Sequence, residues 1–219
     1  MKGRVPRSFE NCTLLEILDL GNNHMEDIFP SMWGALRELQ VLILKSNKFH
    51  GAVRLLSPSN YNFPKLHIID LSYNSFSGDL PQQYFQDWSA MKKKQKTAEY
   101  MQSEISIIQE YDNVVHYSWV GNYSYSMNII NKGVKTEYTK IIDVFVVIDL
   151  SSNMFGGIIP ESITDLSGLQ LLNLSNNELS GAIPLSMGSL TRLESLDLSS
   201  NKLSGKMPQE LVKLNFSGF

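Results

Sequence analysis

Cysteine is almost missing from this chain: Cys12 is the only one in 219 residues, which excludes an internal disulfide framework. Long apolar runs are missing as well. The longest, Val144 to Ile148, falls far short of the roughly 18 residues that a membrane span needs. The opening MKGRVPRSFENC lacks the charged-then-apolar pattern of a secretory leader. Neither sign of charge dominates, and a net charge of -3 gives no general pull toward nucleic acid or an anionic membrane. His24, His50, His67 and His116 are scattered, and none has metal-ligand or nucleophile spacing. There is no glycine-rich phosphate loop and no kinase signature. These absences argue against an enzyme, and no cofactor or metal is expected.

What the chain does have is a period. Asparagines stand at Asn23, Asn47, Asn74, Asn153, Asn177 and Asn201, the last three spaced by 24 residues. An apolar pair precedes each one, as in Leu18/Leu20, Ile148/Leu150 and Leu196/Leu198. Seven residues beyond the asparagine comes proline, at Pro30, Pro81, Pro160, Pro184 and Pro208, and only the second turn differs, with Arg54 in that slot. This is the leucine-rich repeat, in which each turn gives a short strand and stacking buries a continuous apolar interior. Side chains alternate along a strand, so the paired leucines point inward and the residues around them outward. The asparagine stands where the chain leaves the strand, and its amide can satisfy backbone groups that the turn leaves unpaired. Repeated from turn to turn, it forms an internal ladder.

The segments LSGAIP (179 to 184), LSGKMP (203 to 208) and FSGDLP (76 to 81) match the plant-type repeat, which adds a second short strand. On these residues the chain resembles the ectodomain of plant receptor-like proteins. The resemblance implies an α/β-type solenoid: short parallel strands on a concave face, a mostly irregular or 3-10 convex side, and an island insert. The cysteine pairs that flank the family's repeat array are absent here. Pro6 lies 24 residues before Pro30, and the turn after Leu193 would run past Phe219, so both termini fall inside a repeat. That predicts a fragment or a truncated gene product. Cys12 occupies the slot of Leu36, Phe63, Leu166 and Leu190, which predicts a buried apolar side chain, with a nucleophile or disulfide partner as the alternative.

Pro81 and Pro160 are 79 residues apart where one turn needs 24. The expected organisation is repeats over 1–83, an insert over 84–143 and repeats over 144–219. The insert contains no leucine but seven of the nine tyrosines, together with Trp88 and Trp119. It cannot stack as a turn and is expected to fold over or beside the sheet. Ser126 to Glu137 reads as a hairpin with its turn near Asn131-Lys132-Gly133, and Met91 to Ile108 as a mobile loop or short helix. The aromatics divide between recognition and internal packing. The run Lys92, Lys93, Lys94 and Lys96 reads as a solvated loop or as a site for an acidic ligand.

Candidate ligand-binding residues in the insert are Tyr111, Tyr117, Trp119, Tyr123, Tyr125 and Lys132. On the concave face they are Ile43, Lys45, Asp70 and Ser72, where the outward positions vary. Ile17, Val41 and Ile68 form an apolar strip expected to be exposed. After the insert the outward positions are nearly identical, which suggests a framework in which each side chain bonds its neighbour along the sheet. Asn173, Ser195, Asp197 and Ser199 there are candidates for docking a co-receptor. Glycosylation sequons begin at Asn11, Asn122, Asn173 and Asn215.

The function implied by the resemblance is non-catalytic. It is the ligand-recognition and co-receptor-docking segment of a cell-surface receptor-like protein acting in immunity or development. Implied partners are an extracellular peptide or protein ligand, and co-receptor and adaptor kinases with leucine-rich-repeat ectodomains. The implied location is the extracellular face of the plasma membrane. Two alternatives stand beside it: a secreted inhibitor of microbial wall-degrading enzymes, against which the insert argues, and a remnant without a stable fold.

Overall fold

The structure is a computed structural model that describes residues 1–55, 62–92 and 145–214, and the backbone of strands 102–111, 114–124, 127–131 and 134–138. Six three-residue strands form one parallel sheet: Ile17–Asp19, Val41–Ile43, Ile68–Asp70, Val147–Asp149, Leu171–Asn173 and Ser195–Asp197. Equivalent positions pair, Leu18 with Leu42, Leu42 with Ile69, and Ile69 with Ile148. The strand after the insert thus lies directly on the strand before it, and the stack continues as though the intervening residues were absent. Short second strands add their own parallel pairs, such as Ser75–Asp79 with His50–Gly51 on one side and Met154–Gly156 on the other.

The proline of the repeat marks the outer side. Pro30, Pro160, Pro184 and Pro208 each stand immediately before a 3-10 helix, namely Ser31–Ala35, Glu161–Asp165, Leu185–Ser189 and Gln209–Lys213. A proline there removes no hydrogen bond, because the N–H groups of a helix start have no partner within the helix. Successive helices pack closely enough that a Cβ on Gly188 would lie 2.8 Å from the carbonyl oxygen of Glu210, so that position admits only glycine. After Pro81 the chain forms an α-helix, Gln82–Asp87.

The interior is apolar and layered. Leu18, Leu42, Ile69, Ile148 and Leu172 form one buried column, and Phe49, Phe76 and Phe155 stack in another with centroids 6.0 and 6.3 Å apart. Two features depart from expectation. Cys12 is exposed, because it ends a 3-10 helix, Arg7–Asn11, with no buried residue, whereas Leu36, Leu166 and Leu190 are covered by turns on both sides. Tyr84, Phe85, Trp88 and Met91, expected to open the insert, belong to the solenoid core, and the second compact unit is Gln95–Phe145. Loss of leucine is a poor border signal here, because Tyr84 fills the leucine role by packing at 5.7 Å on each of Phe29, Phe63 and Trp88.

Within that second unit, Gln102–Tyr111 pairs antiparallel with Val114–Ser124, and Met127–Asn131 with Val134–Tyr138. The second pair is a hairpin. Gln102 to Ile108, expected as loop or helix, is strand, since pairing with a β-branched and aromatic partner strand overrides its polar composition.

The asparagine ladder joins the turns. Asn153 Oδ1 accepts from the backbone N–H of Phe76 at 3.0 Å, and its Nδ2 donates to the carbonyls of Leu71 and Leu150 at 3.0 and 3.2 Å. Asn47, Asn74, Asn177 and Asn201 repeat this arrangement against the preceding turn. Asn153 is buried, so removing its amide leaves backbone groups of two turns without partners. Asn153→Ala is expected to destabilise the chain by about 3 kcal/mol, read as a lowered urea midpoint with an unchanged slope. A loss below about 0.5 kcal/mol would show that the ladder does not tie the turns across the insert.

Candidate functional site

The outward positions of the six-stranded sheet carry the chemistry. Pairing brings Asp19, Ile43, Asp70, Asp149, Asn173 and Asp197 into one row across it. Each polar member after Ile43 accepts two hydrogen bonds from the serine two residues on. For Asp70, the Ser72 N–H lies at 3.0 Å and its hydroxyl at 2.6 Å, and Ser151 repeats both distances on Asp149. Ser175 does the same to Asn173, and Ser199 to Asp197. The expected framework therefore acts mainly within a turn, closing the strand end. Cross-turn links are the Lys45–Asp70 ion pair at 3.3 Å and the Asn173 Nδ2 donation to Asp149 at 3.3 Å.

Burial changes the reading of several candidate residues. Ile43, Asp70 and Ser72 are buried, as are Val41 and Ile68, so of the apolar strip expected to be exposed only Ile17 keeps partial exposure. Only Lys45 of the concave-face candidates keeps partial exposure, and it is engaged with Asp70. Asn173 and Ser195 are also buried, while Asp197 is half-buried and Ser199 exposed. Alternation gives the direction of a side chain but not what lies around it. Asp70, Asp149 and Asn173 of the outward row are thus buried although they point away from the leucine interior.

Two carboxylates in that layer are strongly perturbed. Burial raises Asp70 above the usual carboxylate range, against the opposing charge of Lys45 and the Ser72 hydrogen bonds. Asp149 is pushed up to about 7, first by burial and then by the neighbouring Asp70, with the Ser151 and Asn173 hydrogen bonds opposing. The pair titrates as a unit.

Among the insert candidates, Tyr111 pairs with Val114, Tyr117 with Ile108, Trp119 with Ser106 and Tyr123 with Ser103. The register shifts between Glu104 and Ser106, so the two-residue alternation breaks between Trp119 and Tyr123. Tyr125 and Lys132 lie outside the described residues, as does Asn215. Asn122 is in the strand Val114–Ser124. Asn11 is exposed at the end of its 3-10 helix. Asn173 is the exception among the sequons. It is 4% exposed, and its Nδ2, the atom a glycan would occupy, donates to Asp149, so the expected modification there is excluded in the folded chain.

A parallel stack closed by an asparagine ladder, with second strands and proline-led 3-10 helices, defines a leucine-rich-repeat solenoid of the plant type. Family models described as leucine-rich repeats match residues 146–215, and 14–36 with 65–85. Receptor-like protein 34 of Arabidopsis thaliana is 42% identical over 170 residues, covering 78% of this chain and 16% of that protein. The crystal structure of a TDR receptor superposes with a TM-score of 0.67 at 26% identity, over 97% of this chain and 27% of that one. That of the Arabidopsis receptor kinase HAESA with the peptide hormone IDA and the co-receptor SERK1 gives 0.66 at 24%, over 98% and 27%. The chain belongs to the plant leucine-rich-repeat receptor-like proteins. It spans less than a fifth of the length of receptor-like protein 34.

Two outcomes follow from this geometry. Asp149 moves from 3.8 in the unfolded chain to about 7 in the folded one, so between those values the folded state holds more protons. Its contribution to stability is complete below 3.8 and is lost as pH rises through about 7. Asp149→Asn keeps an acceptor for Ser151 while giving up the long bond from Asn173. It is expected to raise the melting temperature at about pH 8, to leave it nearly unchanged at about pH 4, and to flatten the slope between. An unaltered pH profile would refute this. Mass spectrometry of the chain secreted from plant cells is expected to find glycan at Asn11 and none at Asn173, and a glycosylated Asn173 in folded protein would contradict its assigned hydrogen bonds.

Proposed function

We propose that the chain is the ligand-recognition and co-receptor-docking segment of a plant cell-surface receptor-like protein in defence or developmental signalling. The carrying observation is that a separate 51-residue unit, Gln95–Phe145, interrupts the chain while the pairing of the repeat stack continues unbroken from Ile68–Asp70 to Val147–Asp149. A stack built in this way keeps its rigidity while displaying a surface of different composition. The scaffold binds and does not catalyse. Likeness to receptor-like protein 34 supports the receptor reading, and the HAESA complex shows the same fold engaging a peptide hormone and a co-receptor together.

In this reading the insert, the proposed island, recognises an extracellular peptide or protein through Tyr111, Tyr117, Trp119, Tyr123, Tyr125 and Lys132. Tyrosine and tryptophan bring large amphipathic contact area at low entropic cost. Lys45 of the concave face adds a partly exposed cation, whereas Ile43, Asp70 and Ser72 support it from within. The turns after the insert dock a co-receptor kinase ectodomain through the Asp197 and Ser199 edge, with Asn173 and Ser195 holding that edge in shape. An adaptor kinase completes the complex at the outer face of the plasma membrane. Glycans at Asn11, Asn122 and Asn215 suit that location.

The test is binding of the SERK1 ectodomain to the secreted ectodomain carrying this segment. Asp197→Arg with Ser199→Arg is expected to weaken binding by about tenfold or more. Alanine at Tyr117, Trp119 and Tyr125 is expected to leave that docking intact while abolishing ligand-triggered association in cells. Variants that fold, bind and signal like the parent would sink the assignment.

A further inference from the structure

The single departure from the proline column stands beside a cleft whose described lining comes from the second and third turns. In the second turn Arg54 stands where the other turns carry proline, and described residues 52–55 have no regular structure. Beside them, the third turn runs from its second strand, Ser75–Asp79, through Pro81 into the helix Gln82–Asp87. Between the two lies a cavity of about 550 Å³, within the range of small-molecule sites. Its walls are of two kinds. Val53, Leu80 and Pro81 give an apolar side, and Arg54, Asp79, Gln82 and Gln83 an exposed polar rim.

We propose that this cleft binds a small hydroxylated carboxylate, of the size and chemistry of a sugar acid, with the Arg54 guanidinium holding the carboxylate. Arginine presents a planar fork that pairs with a carboxylate through two parallel hydrogen bonds. Asp79 repels a bare anion from the same rim, but its oxygens accept from hydroxyl groups, and the Gln82 and Gln83 amides both donate and accept. Val53, Leu80 and Pro81 make up the apolar side, toward which the C–H face of a ring would turn. Tyr84 also lines the cleft, is fully buried, and its hydroxyl has no hydrogen-bond partner among the described residues. A buried hydroxyl of that kind normally has a partner. Burial first, and the charge of Asp87 second, push the Tyr84 hydroxyl above its ordinary range, so it remains a donor at any physiological pH. That hydroxyl is closed to a water-sized contact, so Tyr84 contributes packing beside the cleft and not a bond to a ligand. None of the cleft's described lining residues belongs to the co-receptor edge at Asp197 and Ser199.

The test is calorimetric titration of the full chain with glucuronate, with glucose and acetate as the uncharged and carboxylate-only comparisons. Glucuronate is expected to bind at least about tenfold more tightly than either. Arg54→Pro restores the residue that the other turns use at this slot and so preserves the fold. It is expected to lower glucuronate affinity by about tenfold or more. Circular dichroism and the melting transition confirm that Arg54→Pro folds. Three results would each overturn the proposal: no glucuronate binding by the folded parent, equal affinity for glucose or acetate, or affinity unchanged in Arg54→Pro.

Discussion

The backbone of one turn is completed by the side chain of the next. Asn47 illustrates the unit: its Oδ1 accepts from Met25 N–H at 3.0 Å, and its Nδ2 donates to the carbonyls of Leu20 and Leu44 at 2.8 and 3.0 Å. Three partly buried backbone groups are thereby paired through one amide. Just before it the chain takes a left-handed bend, with φ near +54° at Ser46, Tyr73 and Ser200, which turns it out of the strand in time to present the asparagine. Leucine burial supplies the larger free energy and already disfavours a one-residue slip, which would turn the paired leucines outward. The amide ladder fixes the register further, because a shift of one residue would leave every one of these groups unpaired.

That interaction explains which features were legible from residue order alone. The ladder, the paired leucines and the proline-led helices are local and repeat, so each turn confirms the last. Burial of an outward side chain is not local. Asp70 and Asn173 occupy outward positions, yet both are buried, and nothing in LHIIDLS or LQLLNLS distinguishes them from the half-buried Asp197 in LESLDLS. The same limit applies to Cys12, whose slot reads as apolar although the side chain is exposed at the end of the helix Arg7–Asn11. Tyr84 shows the converse. Its clustering with other tyrosines suggests the insert, but a phenyl ring fills a leucine-sized gap equally well when Phe29 and Phe63 line it.

Repetition also makes departures informative. Arg54 was visible as the one residue out of column, but the cleft beside it was not, since its opposite wall comes from residues 79 to 84. Buried Asp149 is the other kind of departure. The following turn uses Asn173 at the equivalent position and forms the same serine bonds without a titratable group. An aspartate there accepts the long bond from Asn173 and, with burial and Asp70 raising it, brings a titratable group into the sheet.

An insert of this size is tolerable for a reason that is quantitative. Loop-closure entropy grows only with the logarithm of length, about 0.6 kcal/mol for each doubling. Lengthening one connection from 24 residues between prolines to 79 is less than two doublings, so the penalty is about 1 kcal/mol. One well-formed hydrogen bond is of that order. Asn153 alone forms bonds to Phe76 and Leu71 across the gap, and the strand pairing of Val147 with Ile68 adds more. Closure over the insert is therefore favourable before any leucine is counted. A solenoid held together in this way can carry a recognition unit between two turns because neighbouring turns bond each other, whatever length of chain connects them.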